Sequence, residues 1–182
     1  MKALFDAIRV VKGSALTLAD VALVNAALAA PTPAAAMKTS AKGVALMHKF
    51  EGCRLNAYPD PGSRDGTPWT IGWGSTGPGI AKGVTWTQKQ ADDRFVSDLV
   101  TYERGVQTAL EGAPVTQDQF DALVSFSYNV GTQALRTSTL ARMHRAGDYV
   151  GAKAQFARWD KNDGKKMAGL ARRRAAEAEL YG

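Results

Sequence analysis

The fold of this chain is decided by two short stretches, FEGCRLNAYPD at residues 50–60 and WTIGWG at residues 69–74. Residues alternate with a period of two in 54–58 and again in 69–74, which is typical of β-strands. Residues 61–68 between them are rich in Pro, Gly, Ser and Asp, which favour turns. The two stretches therefore predict an antiparallel β-hairpin.

Helical patterns precede and follow this hairpin. Ser40 can cap a helix that ends at Gly52. Two Thr-x-x-Gln capping boxes, at residues 87–90 and 116–119, open two longer helices. Further helical segments are predicted near residues 139–145, 148–157 and 170–181. This order predicts an α+β architecture in which a mostly helical lobe is joined to a small antiparallel sheet.

The first 36 residues differ in composition from the rest of the chain. Two short amphipathic helices are predicted before the Pro/Ala linker at residues 30–36. Lys2, Arg9 and Lys12 precede a weakly apolar, Ala-rich run, so an export signal or a releasable membrane anchor is the alternative. We expect residues 1–36 to form an N-terminal helical appendage and residues 37–182 the main domain.

The composition limits the classes of partner and cofactor. The formal net charge is +6 and the pI about 9.5, which suits a polyanion such as nucleic acid, a phospholipid surface, or peptidoglycan with its stem-peptide carboxylates. Cys53 is the only cysteine, so an intramolecular disulfide is excluded. His48 and His144 lie far apart and no zinc-binding spacing occurs, so we expect neither a metal nor a cofactor.

Glu51 and Asp60 have the arrangement that cleavage of a glycosidic bond requires. The reaction needs an acid that protonates the leaving oxygen and a second group that acts on the other side of the sugar. Glu51 ends a predicted helix, where the negative end of the helix dipole disfavours a carboxylate and so favours a proton-carrying acid. Asp60 follows the first predicted strand, at the start of the turn. Asp65 in the same turn is a rival for the second role.

The second predicted strand offers a surface that a sugar could approach. Thr70, Gly72 and Gly74 are predicted to share one face, where the glycines leave room for close approach to the backbone. The opposite face is predicted to pack against the core and carries Trp69, Ile71 and Trp73.

These motifs closely resemble the active-site region of the phage-type lysozymes, the endolysins of glycoside hydrolase family 24. The family's triad is a Glu, an Asp after eight intervening residues, and a Thr on the returning strand, which Glu51, Asp60 and Thr70 match. Residues 119–131 resemble the family's central helix and residues 169–177 its closing helix. The spacing from Glu51 favours Asp60 over Asp65. Ser75 stands where relatives often carry His, so any support from that histidine is missing.

The resemblance implies a lysozyme-like fold whose small sheet flanks the cleft, and an endolysin that lyses the host cell. It implies hydrolysis of the β-1,4 bond between N-acetylmuramic acid and N-acetylglucosamine in peptidoglycan. Glu51 would be the acid, and Asp60 and Thr70 would position the attacking water. Asn129 is a candidate for substrate binding, with helix C-capping as its alternative role. A monomer is expected, made in the host cytoplasm and acting in the periplasm on the cell wall.

Two other functions compete with this interpretation. A lytic transglycosylase shares the fold class and the acid, but forms an anhydro product without water; the Asp and Thr beside the acid favour hydrolysis. A non-catalytic basic module would rest on five cations within ten residues, namely Lys165, Lys166, Arg172, Arg173 and Arg174. No recognised nucleic-acid motif accompanies them, so we expect attraction to anionic wall or membrane components and no nucleic-acid partner.

Overall fold

The computed structural model describes residues 37–59 and 67–182, together with Thr17 and Val21. Contacts along the backbone divide the chain into two compact units, Met1–Pro31 and Thr32–Gly182. Both predicted N-terminal helices lie outside the described residues, apart from those two isolated positions. The division that we predict near residue 37 therefore stays a prediction.

The second unit consists of helices around a small sheet. Its helices are α1 (Ala41–Glu51), α2 (Gln88–Leu110), α3 (Gln117–Val130), α4 (Thr132–Thr137), α5 (Thr139–Arg145), α6 (Tyr149–Gln155) and α7 (Ala168–Tyr181). Its strands are β1 (Arg54–Pro59), β2 (Trp69–Gly72), β3 (Lys161–Asn162) and β4 (Lys165–Lys166). A 3-10 turn, Phe156–Trp159, follows α6. The mostly helical α+β architecture is confirmed, whereas α4 and the β3–β4 hairpin were not predicted.

Helix α1 begins and ends at the residues that the sequence indicates. The Ser40 hydroxyl accepts hydrogen bonds from the amides of Lys42 and Gly43, and Gly52 ends the helix with φ at 66°. Ser40 also donates its own amide and hydroxyl to the buried carboxylate of Asp121 on α3. A Cβ added to Gly43 would lie 2.7 Å from the Asp121 carboxyl carbon, so the glycine permits the two helices to approach this closely.

The predicted hairpin is present, but its second strand is shorter than expected. β1 and β2 are antiparallel, with Tyr58 opposite Thr70. β2 ends at Gly72, where φ is 63°, and the chain then turns so that the Ile71 and Ser75 amides and carbonyls bond each other. The prediction that residues 69–74 form one strand, with Thr70, Gly72 and Gly74 on one face, is therefore wrong beyond Gly72. Two glycines with positive φ make a turn where we predicted an extended strand.

The central helix of this unit is α3, which packs against α1, α2 and α7. Both predicted capping boxes are formed, with Thr87 and Gln90 at α2 and Thr116 and Gln119 at α3. Residues 120–127 of α3 are all buried, and its large apolar side chains are Phe120, Leu123 and Phe126. None of the helices in the described part of the chain is long and apolar enough to cross a lipid bilayer.

Candidate active site

Glu51 is the last residue of α1, and its side chain is 18% exposed. It lines an open cavity of about 550 Å³, the Glu51 cavity, with Phe50, Asn129, Gly169 and Arg173 among the other lining residues. The helix ends at Gly52, and Glu51 at its last position belongs to the wall of the cavity. One carboxylate therefore faces solvent in a concave site, the arrangement needed for proton donation to a bound ligand.

Arg173 of α7 holds the Glu51 carboxylate. Its Nη1 donates to Glu51 Oε1 at 2.5 Å, although the two residues are 122 positions apart in the chain. The other two nitrogens are also occupied, because Nε donates to Glu177 Oε1 at 3.0 Å and Nη2 to the Ser125 carbonyl at 3.1 Å. A guanidinium with three fixed partners is rigid, so it orients the carboxylate to which it is bonded.

Glu177 is the buried anion behind this pair. It is fully buried on α7, accepts a hydrogen bond from the Ser125 hydroxyl at 2.8 Å, and pairs with Arg173 and Arg174. Burial raises the pKa of the Glu177 carboxyl, while the two guanidinium groups oppose that shift. Burial also lowers the pKa of Arg174. Each charge in the cluster therefore depends on its partners for compensation.

Asn129 lies at the C-terminal end of α3, exposed in the Glu51 cavity. Its side-chain oxygen accepts a hydrogen bond from Arg174 Nη2 at 3.0 Å, so the amide nitrogen points away from that contact. The cap of α3 is Gly131, whose amide bonds to the Ser127 carbonyl, so the alternative role of Asn129 as the C-cap is wrong.

The wall on the hairpin side begins at Gly74. A Cβ added there would lie 3.5 Å from Glu51 Oε2 and 3.9 Å from the Tyr128 hydroxyl, so a side chain would intrude beside the carboxylate. The Tyr128 hydroxyl donates to the Trp73 carbonyl at 2.8 Å, and burial raises the pKa of Tyr128, with the Glu51 carboxylate adding to that shift. Gly74, Tyr128, Asp98 and Thr101 are among the residues lining a smaller pocket of about 200 Å³, which we call the hairpin pocket.

Comparison with known proteins decides the family. Residues 48–177 match the family model of phage lysozyme. The endolysin of Bacillus phage PZA is 41% identical over 145 residues, which are 80% of this chain and 55% of that protein. The endolysin of Acyrthosiphon pisum secondary endosymbiont phage 1 is 38% identical over 149 residues, 80% of this chain and 98% of that protein. The chain belongs to the phage lysozyme family.

A solved structure supports the fold of this phage lysozyme family member. The muramidase domain of SpmX from Asticaccaulis excentricus superposes with a TM-score of 0.71 at 35% identity, covering 79% of this chain and 97% of that domain. This superposition confirms the lysozyme-like fold, and the family model and the endolysin relatives confirm the class of enzyme, a glycosidase of the lysozyme type. The chain spans about half the length of the Bacillus phage relative and nearly all of the endosymbiont-phage relative.

The structure brings some of the predicted site residues together. Glu51 and Asn129 line one cavity. Thr70 lies on β2 opposite Tyr58, and it is not among the residues lining that cavity. Asp60 and its rival Asp65 lie outside the described residues. The roles of Glu51, Asp60, Thr70 and Asn129 remain predictions.

Trp73 and Ser75 both hold the hairpin wall in place. Trp73 packs against the core, as predicted; it stacks on His48 at 3.6 Å and its indole N–H donates to Asp92 at 2.7 Å. Ser75, at the position where the family resemblance leads us to expect His, is buried, and its hydroxyl donates to Asp98 Oδ2 at 2.7 Å. A hydroxyl therefore supports this turn in place of an imidazole.

Sequence reasoning missed the role of Arg173. The run Arg172-Arg173-Arg174 was interpreted as part of a basic patch, yet Arg173 and Arg174 are buried and only Arg172 is exposed. The spacing between Arg173 and Glu177 is i to i+4, which places them on one face of a helix and could have indicated an internal pair. Among the described residues, no group of three or more His, Cys, Asp or Glu side chains could hold a metal.

Proposed function

We propose that this protein is an endolysin that hydrolyses the β-1,4 bond between N-acetylmuramic acid and N-acetylglucosamine in bacterial peptidoglycan, to lyse the host cell. The observation that carries the proposal is the Glu51 carboxylate at a helix end in an open cavity, held by Arg173, in a chain of the phage lysozyme family. The substrate is a polymer, and an open cavity suits a long glycan strand better than an enclosed one would.

Glu51 is the proton donor in this proposal. It protonates the glycosidic oxygen as the bond to that oxygen breaks, and Arg173 then stabilises the carboxylate that remains. Because Arg173 is fixed by Glu177 and the Ser125 carbonyl, its guanidinium group does not have to reorganise when the negative charge appears on Glu51. Arg173 acts here through Glu51 and is a positioning residue.

Asp60 and Thr70 take the second role. They position the water that attacks the anomeric carbon, and one proton of that water passes to the Asp60 carboxylate as the new bond forms. The proposal for Asp60 rests on its spacing from Glu51 and on the family motif, and that for Thr70 on its place in β2. Asn129 would bind the substrate through its amide nitrogen, since its oxygen is bonded to Arg174.

The site of action proposed is the cell wall. The chain would be made in the host cytoplasm and act in the periplasm, either after passing the membrane or as an exported protein with an N-terminal signal or releasable anchor. Its net charge of +6 favours attraction to anionic wall or membrane components. A monomer is the form expected, and sedimentation equilibrium would test it.

Mass spectrometry of the sugar products tests the reaction. Hydrolysis incorporates one water and leaves muramic acid with a reducing end, whereas the alternative, a lytic transglycosylase, leaves an anhydro sugar that is lighter by one water. We expect products that incorporate ¹⁸O when the digestion is run in H₂¹⁸O. Anhydro products without label would establish the transglycosylase. No product at all from purified peptidoglycan would overturn both enzymatic proposals and favour a binding module.

A further inference from the structure

A second cavity lies along α2, on the same helix face as the hairpin pocket. Its volume is about 280 Å³, and it is lined by α2 and α4 residues that include Thr101, Arg104, Thr132 and Arg136. Thr101 lines both this cavity and the hairpin pocket. We call the second cavity the arginine pocket.

The two pockets form one continuous track along α2. The residues of α2 that line them are Arg94, Asp98, Thr101, Tyr102, Arg104, Gly105 and Thr108. Five of these, at positions 94, 98, 101, 105 and 108, recur at intervals of four and three. Residues with this spacing lie on one face of a helix, and the eight residues from Asp98 to Gly105 span about 10 Å of it. The track starts at Gly74, beside the Glu51 carboxylate, and ends at the two arginines.

The charge of the arginine pocket is positive and uncompensated. Arg104 and Arg136 are exposed, and neither has an ion-pair partner in the described part of the chain. The acids of α2 on either side are already paired, since Asp98 accepts from Arg94 and Ser75, and Glu103 accepts from Lys38 and the Thr39 amide. Planar guanidinium groups with free donors match carboxylates and phosphates.

The floor of the pocket is built by a close helix contact. A Cβ added to Gly105 would lie 2.3 Å from Thr132 Cγ2, so only a glycine permits α2 and α4 to approach this closely. Thr101, Thr108, Thr132 and Gln133 also line the pocket, so its lining residues include three hydroxyl groups and one amide besides the two arginines. A small anion with further polar atoms would find both charge and hydrogen-bonding partners there.

We propose that the arginine pocket binds the carboxylates of a peptidoglycan stem peptide whose glycan strand lies in the cleft beside Glu51. This inference rests on the proposed function, because the glycan would run along the hairpin pocket and carry its peptide to Arg104 and Arg136. A stem-peptide carboxylate is the anion that the substrate itself brings to this end of the track. Binding there contributes to affinity for the wall and not to the chemical step.

The test compares two double variants that lose the same charge. Arg104→Gln/Arg136→Gln alters the pocket, and Arg142→Gln/Arg158→Gln removes two exposed arginines elsewhere. On intact peptidoglycan we expect the KM of the pocket variant to be about five- to tenfold higher than that of the wild type, with kcat nearly unchanged. A change of this size corresponds to the loss of two exposed ion pairs. The control variant should change KM by less than about twofold. On glycan strands stripped of stem peptides by an amidase, all three proteins should have the same KM.

Two patterns of equal loss would overturn the inference. One is an equal loss on stripped glycan, which would mean that the pocket contacts the sugar or that the helix contact is disturbed. The other is an equal loss in the control variant, which would mean that only the overall charge matters, as for attraction to wall or membrane phosphates. An unchanged KM of the pocket variant on intact peptidoglycan would also exclude the site.

Direct binding separates this inference from the proposed function. If the wild-type protein cleaves neither substrate, the proposed function fails, and the pocket is then judged by NMR titration with a soluble stem tetrapeptide. We expect shifts of the Thr101 and Thr132 amides that disappear in Arg104→Gln/Arg136→Gln and with a tetrapeptide whose carboxylates are amidated. Shifts that persist with the amidated peptide, or no shifts at all, would exclude carboxylate recognition.

Discussion

The two walls of the active site are held in place by different interactions. On the hairpin wall, β1, β2 and the turn to Ser75 are joined by backbone hydrogen bonds and by glycines with positive φ at residues 72 and 74. On the helical wall, the buried charged residues of α7 are hydrogen-bonded to α3: Arg173 donates to the Ser125 carbonyl, Arg174 donates to Asn129, and Glu177 accepts from the Ser125 hydroxyl. Substitutions in the hairpin wall should therefore alter activity more than stability, whereas those in the helical wall should alter both.

The largest effect is expected from Arg173→Met in the helical wall. The change removes three hydrogen bonds and leaves Glu177 with Arg174 as its remaining guanidinium partner, so the free energy of unfolding should fall by about 3 kcal/mol. Chemical denaturation measures this free energy of unfolding. Arg172→Met, at the exposed neighbour, should change it by less than about 0.5 kcal/mol. Equal stability of Arg173→Met and wild type would mean that the buried charges contribute little to this wall.

Glu51→Gln should reduce activity without unfolding the protein. A glutamine keeps an oxygen that can accept from Arg173 but has no acidic proton to transfer to the glycosidic oxygen, so clearance of a peptidoglycan suspension should slow at least about 100-fold. The exposed Glu179 on α7 offers a matched control, since Glu179→Gln should keep full activity. A Glu51→Gln variant with more than half the wild-type rate of clearance would exclude Glu51 as the acid.

The hairpin side offers a choice between two aspartates. Asp60→Ala should slow clearance by about tenfold or more, while Asp65→Ala should keep most of the activity, because only Asp60 has the family's spacing from Glu51. Both variants should unfold at the same denaturant concentration as the wild type. The hairpin wall would then differ from the helical wall, where Arg173→Met is expected to lower the free energy of unfolding. The opposite order of activities would assign the role to Asp65.

The same contrast explains what the sequence could predict. The caps at Ser40, Thr87 and Thr116 depend on residues two or three positions apart, and β1 pairs with the next strand along the chain; all four features were predicted correctly. The second strand was predicted too long, because its alternation continues through Gly72 and Gly74, whose positive φ is not encoded by hydrophobicity.

The interactions that sequence reasoning missed join distant parts of the chain. Arg173 meets Glu51 across 122 residues, and Asp121 meets Ser40 across 81. A run of three arginines is most simply interpreted as a solvated surface, and only the packing of α7 against α3 buries two of them. A third segment, residues 84–86, bonds to the free edge of β1 through Ala57 and Leu55, without any strand-like pattern of its own.

The smallest effect is expected from removing residues 1–36. Residues 37–182 keep a formal charge of +5, because the removed segment holds three cations and two anions, so attraction to an anionic wall should persist. The cut must not pass Met37, since Met37 is buried, its carbonyl accepts from Gln107, and Lys38 and the Thr39 amide both bond to Glu103. The protein without residues 1–36 should therefore cleave purified peptidoglycan at a rate within about twofold of the full chain. Removal of residues 1–39 should instead lower the free energy of unfolding by about 2 kcal/mol or more, because one core side chain is lost and one ion pair is broken. Rates on purified substrate and denaturation curves of the three proteins provide the measurement.

Two outcomes would contradict this prediction. If removal of residues 1–36 abolishes cleavage or unfolds the protein, the division near residue 37 is not a functional boundary. If the two truncated proteins are equally stable, the contacts of residues 37–39 with α2 do not contribute to the fold.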